Sequence, residues 1–323
     1  MGIKHLNKIL TKYAPNSITY TVNLSELSNK TIAIDLSLYL HRFYTMQGHV
    51  FTGLFHQIML LRKFNITPVY VFDGQYSKEK TKTVEARKES KNKILKQIEE
   101  LEKKPEQDKK KLFKMKNKTF CIDDNDIVFC KELFKHLGVP FIQANCEADI
   151  VLAYMCINNY AHYCLTEDFD LLTFGCNYLI KNLKGETVTM YDLNSCIDEM
   201  EYKSLEQFQD LCILCGCDYL DALPKIGPMT AYNLIKKYNT IENVLENAFY
   251  KDTSEKTKEQ KYSYPEEYDF NSARQIFKSP GVLKFKIKDK YAVETINQTE
   301  LVNYLKSKDF TEKKIASIVK RIN

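Results

Sequence analysis

Acidic residues stand repeatedly at the ends of short apolar runs in this chain, where a folded protein would bury them. Two runs end in a lone aspartate, TIAI at Asp35 and PVYVF at Asp73, and two others carry close acidic pairs. Because an unpaired buried charge is very costly, such a set needs a shared cation. A pair of Mg²⁺ ions is the most economical choice, since Mg²⁺ takes oxygen ligands and activates phosphate chemistry. The full set is Asp35, Asp73, Glu147, Asp149, Asp168, Asp170 and Asp218.

The apolar runs alternate with segments of helical period, which predicts an α/β fold with a mainly parallel, twisted sheet flanked by helices. Ligand sites in such sheets lie beyond the carboxyl ends of the strands, where Asp35, Asp73 and Asp168 are expected. The expected strands are 31–35, 68–73, 139–143 and 162–166, with a crossover helix over 53–65.

The two acidic pairs have different expected geometries. Asp168 and Asp170 are two residues apart at a strand end, so an extended backbone would direct both to one side. Glu147 and Asp149 precede the apolar run IVLAYMCI, and the dipole at a helix start favours negative charge. Ordinary capping and turn chemistry would explain any one of these residues, but it does not explain seven of them beside a basic segment.

That basic segment lies between Lys78 and Lys118. It holds 16 Lys/Arg and 8 Asp/Glu, a net charge of +8, whereas the whole chain carries +5 and the remainder therefore −3. Two helices joined near Pro105 are expected here. A polyanionic substrate held over a metal site would explain the distribution, and a solvated pair of charged helices is the alternative.

The rest of the chain adds helices and one polar stretch. Gly227-Pro228 has the form of a turn followed by a helix with proline in its first turn. We expect helices at 126–138, 205–215 and 311–322, a helix–turn–helix within 216–238, and a polar loop over 251–269.

Composition argues against several classes of protein. No run of 18 apolar residues and no signal-peptide core are present, so a membrane-spanning or secreted protein is not expected. Ten cysteines include the C-x-x-C of Cys212 and Cys215, but a second ligand pair at zinc-site spacing is lacking. Reduced, mostly buried thiols are the favoured interpretation.

Six motifs, in order, resemble the flap endonuclease/XPG superfamily of structure-specific 5′ nucleases over essentially the whole chain. MGIKHLNKIL is similar to the family's M-G-I start, and TIAIDLSLYLHRF and PVYVFDG are similar to its first two Asp motifs. CEADIVLAY, TEDFDLLTFG and LCILCGCDYL resemble the E-A-E/D, T-E-D-x-D and G-x-D-Y motifs. One such motif would be weak, but six at matching spacing are specific.

The resemblance implies a PIN-like nuclease core with a helical arch and a helix–turn–helix DNA-binding element. It implies one nuclease unit over 1–323. Its parts would be an N-terminal nuclease region at 1–74, the arch at 75–118, an internal nuclease region at 119–215, the duplex-binding element at 216–247 and a C-terminal helical part at 248–323.

The resemblance also implies a site with two Mg²⁺ ions, with Mn²⁺ as a substitute, that straddle the scissile phosphate. Lys80 and Arg87 match the two catalytic basic residues of the arch, and their spacing of seven places them on one helical face. One ion would lie among Asp35, Asp73, Glu147 and Asp149, and the other beside Asp168 and Asp170 with Asp218 close by.

Contacts with DNA are implied at five further residues. Gly2 would lie near the active site, and helix-start amides at Gly227 and Met229 would suit a phosphate, with loop carbonyls for a K⁺ ion. Lys225 stands where the family has the first glycine of G-I-G, which weakens the K⁺ expectation because Lys adopts glycine's backbone angles only at a cost. His41 stands where flap endonucleases have a base-stacking Tyr, and packing against the sheet is an equal alternative.

The function implied is hydrolysis of DNA at 5′ flaps and junctions in replication or repair. His41 and the E-A-D variant also resemble the 5′ exonuclease branch, so 5′→3′ exonuclease activity on nicked or recessed duplex is a close alternative. An RNA-directed 5′ exonuclease and a non-catalytic DNA-binding member are less favoured. The expected partner is junction DNA, with no membrane and no C-terminal sliding-clamp box, for an intracellular monomer in a nucleus or a viral replication compartment.

Overall fold

A seven-stranded sheet forms the centre of the computed structural model, which describes residues 2–47, 49–103, 109–251, 262–265 and 267–322. The order across the sheet is β1-β7-β6-β5-β2-β3-β4, and the five strands from β6 to β4 are parallel. The strands are β1 (Ile18–Asn23), β2 (Thr31–Asp35), β3 (Thr67–Phe72), β4 (Phe141–Gln143), β5 (Tyr163–Leu165), β6 (Tyr178–Lys184) and β7 (Thr187–Asp192). A separate parallel pair consists of β8 (Phe249–Lys251) and β9 (Tyr262–Tyr264).

Helices cover both faces of this sheet. The first eight are α1 (Leu6–Tyr13), α2 (Leu36–Gln47), α3 (Phe51–Lys63), α4 (Thr81–Glu102), α5 (Lys109–Lys118), α6 (Asp124–His136), α7 (Ala148–Ile157) and α8 (Asp170–Thr173). The others are α9 (Leu193–Glu199), α10 (Leu205–Cys215), α11 (Pro228–Tyr238), α12 (Ile241–Ala248), α13 (Phe270–Val282), α14 (Gln298–Ser307) and α15 (Glu312–Ile322). Short 3₁₀ helices occupy Pro15–Ser17, Leu24–Leu27 and Lys78–Lys80.

Alternate residues of each strand enter two different hydrophobic cores. In β2, Ile32 and Ile34 face the core built with α2, α3 and α6, while Ala33 faces the core built with α7 and α10. Burial on both faces explains why the parallel strands are continuously apolar in sequence. It also leaves the strand ends as the place where polar groups can gather.

The predicted α/β fold with a mainly parallel sheet is confirmed, and all four predicted strands are present, one with the predicted bounds, one shifted by one residue and two shorter than predicted. β1 and the β6–β7 hairpin were not predicted. The polar stretch 251–269 was expected to be only a loop, but Tyr262–Tyr264 pairs with Phe249–Lys251, so that expectation is wrong there. Residues 252–261 and 266 lie outside the described residues.

The basic segment forms two helices, as expected. α4 and α5 lie against each other, and α5 also contacts α2. The expected junction at Pro105 lies outside the described residues. The predicted helices at 205–215 and 311–322 correspond to α10 and α15, and Gly138 follows α6 with a φ of 61°.

All ten cysteines are free, and eight of them are buried. The sulfur atoms of Cys156, Cys164 and Cys176 lie within 4.8 Å of one another in the core. None of the helices in the described part of the chain has the length and apolar character needed to cross a bilayer.

Candidate active site

The carboxyl ends of β2, β3 and β5 place three aspartates at one edge of the sheet. Asp35 is the last residue of β2, and Asp73 follows β3 directly. Thr166, just after β5, connects two of the carboxylates: its hydroxyl donates to Asp35 Oδ2 at 3.1 Å, and it accepts the backbone N–H of Asp168 at 3.2 Å. The sheet therefore gathers residues that are far apart in sequence.

Glu147 and Asp149 reach this edge from the start of α7. Glu147 immediately precedes the helix, and Asp149 lies in its first turn. The backbone N–H of Ala148 donates to Asp73 Oδ1 at 3.0 Å, so the helix N-terminus also orients a carboxylate from β3. Glu147 Oε1 accepts the backbone N–H of Ser77 at 3.2 Å, and its Oε2 accepts the hydroxyl of Tyr219 at 2.9 Å.

Asp168 and Asp170 converge, but not on the extended backbone that the sequence predicts. Phe169 between them has φ −83° and ψ −11°, and Asp170 begins the short helix α8. The backbone N–H of Asp170 donates to Asp168 Oδ1 at 3.0 Å, so a helical turn, and not a strand, holds the two together.

The N-terminal residues close over this pair. Ile3 donates its backbone N–H to Asp170 Oδ1 at 2.7 Å. Gly2 has a φ of +76°, and a Cβ built there would overlap the carboxylates of Asp168 and Asp170. A side chain at position 2 is therefore excluded by both backbone angle and space.

Two cations from the basic segment meet these carboxylates. Lys80 Nζ lies 2.6 Å from Glu147 Oε2 and 3.6 Å from Asp218 Oδ2. Arg87 Nη2 lies 2.6 Å from the same oxygen of Asp218. The hydroxyl of Thr83 donates to the backbone carbonyl of Asp218 at 2.8 Å. The first turns of α4 are thus fixed to the loop after α10.

The electrostatics of the site are dominated by negative charge. Burial, together with Asp73 and Asp168, raises the pKa of Asp35 to about 7. Burial and neighbouring carboxylates likewise raise the pKa of Asp149 and of Asp170 well above its usual range. Burial opposes the charge of Lys80, but Asp149 and Glu147 outweigh it and raise the pKa of that ammonium.

The donor set fits hard divalent cations. It consists of carboxylate oxygens, which Mg²⁺ prefers, and no sulfur or imidazole ligand is among the seven. Within the described part of the chain, Lys80 and Arg87 are the cations that pair with these residues, so seven carboxyl groups face two cations. Bound divalent ions would supply the missing positive charge.

The residues expected to grip DNA lie in other places. Lys225 has a φ of +64°, in the left-handed region that favours glycine, two residues before the N-cap Gly227 of α11. Gly227 is exposed, whereas Met229 is half-buried against the core. His41, on α2, is exposed, and its ring meets Phe120 edge-on at 5.4 Å. Partial desolvation of the ring and the charge of Lys91 lower the pKa of His41.

Several supporting residues had no assigned role in the sequence. Thr166 and Tyr219 lie inside the T-E-D-x-D and G-x-D-Y motifs, so position within a motif was the available signal. Arg42 pairs with Glu167 at 2.7 Å, and the backbone N–H of Asn182 donates to the same carboxylate at 3.0 Å. No local pattern marks Arg42, because its partner is 125 residues away.

Comparison with known proteins agrees with this geometry. The XPG N-terminal domain matches residues 1–94, and the XPG I-region matches residues 138–218. Flap endonuclease 1 of Entamoeba dispar is 32% identical over 347 residues, which cover 100% of this chain and 87% of that protein. An α/β core with an XPG N-terminal domain and I-region defines the XPG class of nucleases. This chain belongs to the flap endonuclease family of that class.

Solved structures support the fold independently. The catalytic core of Rad2 in complex with DNA substrate has a TM-score of 0.71 at 19% identity, with 100% of both chains covered. The junction-resolving enzyme GEN1 in complex with product DNA and Mg²⁺ has a TM-score of 0.64 at 17% identity, covering 94% of this chain and 74% of that one. GEN-1 with potassium has a TM-score of 0.66 at 16% identity, covering 99% and 77%.

Proposed function

We propose that this protein is a structure-specific 5′ nuclease that hydrolyses DNA phosphodiester bonds at 5′ flaps and junctions, in replication or repair. The observation that carries the proposal is the meeting of Lys80 and Arg87 with Glu147 and Asp218 at the carboxyl edge of the sheet. A non-catalytic DNA-binding protein would need neither seven clustered carboxylates nor two cations placed against them. Membership of the flap endonuclease family supports the same activity.

The seven carboxylates would hold two Mg²⁺ ions, or Mn²⁺ in their place. When bound, such ions activate water and stabilise the leaving oxygen of the phosphodiester. We assign Asp35, Asp73, Glu147 and Asp149 to one ion and Asp168 and Asp170 to the other, with Asp218 beside the second. The solved complex of GEN1 with Mg²⁺ supports the identity of the metal.

Lys80 and Arg87 would act on the phosphate itself. Both side chains carry fixed positive charge next to the carboxylates, so a phosphate entering the edge would meet donors already in place. Their N–H groups would exchange carboxylate oxygens for phosphate oxygens as the substrate binds. The burial of Lys80 strengthens this effect, because water cannot screen its charge.

The surface around 216–247 would grip the duplex, with contacts from Lys225, Gly227 and Met229, and Gly2 would lie near the cleaved strand. A phosphate would suit the N-terminus of α11, since the backbone N–H groups that follow Pro228 in the first turn lack an intrahelical acceptor. The left-handed backbone at Lys225 supports a K⁺ ion at this loop, because Lys225 adopts the conformation that the family's glycine permits. The solved structure of GEN-1 binding potassium supports K⁺ as the ion.

A 5′→3′ exonuclease is the second candidate, and His41 together with Asp149 of the E-A-D sequence favours it, because both residues resemble that branch. His41 is exposed on α2, where its ring can stack on a base. We expect the protein to act as a monomer, in a nucleus or a viral replication compartment.

Cleavage products distinguish the candidates. Wild type and Asp168→Ala would each be incubated with a 5′-flap, a nicked duplex and a blunt duplex, with Mg²⁺ or with chelator. Release of the intact flap by wild type supports the flap endonuclease, and a ladder of mononucleotides supports the exonuclease. Products that persist in chelator or with Asp168→Ala would contradict a metal-dependent site at these residues.

A further inference from the structure

The segment between α13 and α14 crosses the open edge of the sheet. α13 packs on α7 and α10, whereas α14 packs on α6, so residues 283–297 must pass from one face of the sheet to the other. They do so beside β4, the edge strand. The backbone N–H of Glu294 donates to the carbonyl of Gly138 at 2.9 Å, which fixes the far end of the crossing next to the start of β4.

This crossing presents lysines on one side only. Lys286, Lys288 and Lys290 are exposed, while Phe285 and Ile287 turn toward the core. None of the three lysines forms an ion pair with any residue that the structure describes, although seven other lysines in that part of the chain pair with a carboxylate. Residues 283–297 hold four lysines and two carboxylates, Asp289 and Glu294, a net charge of +2, so the crossing is a positive surface that suits an anionic partner.

A groove of about 720 Å³ separates this row from β4. Its walls include Lys286, Lys288 and Lys290 on one side and Phe141 with Gln143 on the other. Phe141 is half-buried and lines the groove. Glu294 also lines the groove, but a single carboxylate leaves the walls net positive. A cationic groove with an accessible aromatic ring is the usual form of a site for single-stranded nucleic acid.

The groove also connects with the catalytic edge. Gln143, the last residue of β4, lines the groove, and its side-chain amide donates to the backbone carbonyl of Asp73 at 2.8 Å. Asp73 is one of the seven carboxylates and precedes the loop that leads into Lys80. A strand that leaves the catalytic edge on this side would therefore enter the groove directly.

We propose that this groove binds the sugar–phosphate backbone of the single-stranded arm of the substrate. The proposal deepens the proposed nuclease function and rests on it for the identity of the strand. Lys286, Lys288 and Lys290 would neutralise successive phosphates, and Phe141 would contact a base. Duplex DNA is less suitable, because its bases are stacked inside and cannot meet the ring.

Binding as a function of salt tests the groove without requiring cleavage. The triple variant Lys286→Gln/Lys288→Gln/Lys290→Gln would be compared with wild type in Ca²⁺, on a junction whose flap has about 20 nucleotides, more than one such site usually covers. Loss of three phosphate contacts should reduce the salt slope of log K by about 2, since each contact on a single strand contributes about 0.7. Affinity for a blunt duplex should be unchanged. The matched control, Lys184→Gln/Lys203→Gln/Lys313→Gln, removes three exposed lysines that lie outside the groove and form no ion pair with the described residues, and it should keep the wild-type slope on the flap.

Crosslinking gives an independent readout. A flap carrying 4-thiothymidine should crosslink to the peptide 283–297 in wild type. An unchanged salt slope in the triple variant, or no crosslink to that peptide, would contradict the proposal that the groove binds the single-stranded arm. Equal loss on blunt duplex and flap would assign the row to duplex binding and also overturn it. If wild type cuts no junction while the triple variant still loses flap affinity, the proposed nuclease activity is contradicted and the proposed strand binding in the groove is supported.

Discussion

The ammonium of Lys80 lies 2.6 Å from Oε2 of Glu147, with 8% and 2% of the two side chains exposed. A buried ion pair of this kind contributes little net stability, because desolvation of both charges offsets their attraction. The main effect of this ion pair is on position, because it holds the N-terminus of α4 against the N-terminus of α7. The ammonium of Lys80 is thereby placed beside the carboxylates before any substrate binds.

Replacing Lys80 with methionine should slow the chemical step far more than it weakens binding. Methionine keeps most of the side-chain volume but removes the charge, so we expect the single-turnover rate to fall about 10²–10³-fold, as for loss of a preorganised electrostatic donor. Junction affinity in Ca²⁺ should change little. Lys96→Met, at an exposed position of α4, is the control. Equal losses in rate and affinity would reduce Lys80 to a phosphate contact.

The backbone at Gly2 gives a second prediction, because an added methyl group would overlap Asp168 and Asp170. Gly2→Ala should therefore weaken Mn²⁺ binding, measured by titration calorimetry, and should slow cleavage by about 10²-fold, the usual scale for a misplaced reactive group. Gly185→Ala is a matched control, since Gly185 has a φ of +59° but no atom within 4 Å of the added carbon. It should lose stability without losing metal affinity. Wild-type metal affinity in Gly2→Ala would contradict the close packing of Gly2 against the carboxylates of Asp168 and Asp170.

Lys225 gives a prediction about stability. Its φ of +64° is unfavourable for a side chain, so Lys225→Gly should raise the free energy of unfolding by up to about 1 kcal/mol. Ala316→Gly, in the middle of α15, should lower it by about 1 kcal/mol because glycine weakens a helix interior. Urea denaturation measures both. A destabilised Lys225→Gly would show that contacts of the lysine side chain outweigh the backbone strain.

Two ion pairs on α13 should differ in their effect on stability. Arg274 pairs with Asp210 at 2.8 Å, where 18% and 3% of the side chains are exposed, and it also pairs with Glu242. Arg274→Met should cost about 3 kcal/mol, because it leaves a buried carboxylate unpaired. Lys278, also on α13, forms a more exposed pair with Glu206 of α10. Lys278→Met should therefore cost less than about 1 kcal/mol. Equal effects in thermal or urea denaturation would contradict the difference in burial.

The sheet centre could be predicted from the sequence because its strands are buried on both faces and appear as continuous apolar runs. The carboxylates were visible for the same reason, since each interrupts or ends such a run. β6 and β7 were not predicted, because LIKNLK and TVTMYD mix charge with apolar residues near the sheet edge. Only the pairing with β5 and β1 gives those residues a strand.

The contacts of the site could not be predicted in the same way. The turn between Asp168 and Asp170 is helical because Asp170 begins α8, and the pattern DFD alone cannot distinguish that turn from a strand. The partners of Lys80 and Arg87 are 67 and 131 residues away, so they depend on the complete fold. Motif position indicated which residues matter, whereas the hydrogen bonds show how they are held.

The single-turnover rate of Asp168→Ala on a 5′-flap in Mg²⁺ tests the central claim most directly, with junction affinity measured in parallel in Ca²⁺. We predict that the rate falls at least about 10³-fold while affinity stays near the wild-type value, because Asp168 serves the metal site and not the grip on DNA. Undiminished cleavage by Asp168→Ala would contradict a metal-dependent active site at the carboxyl edge of the sheet.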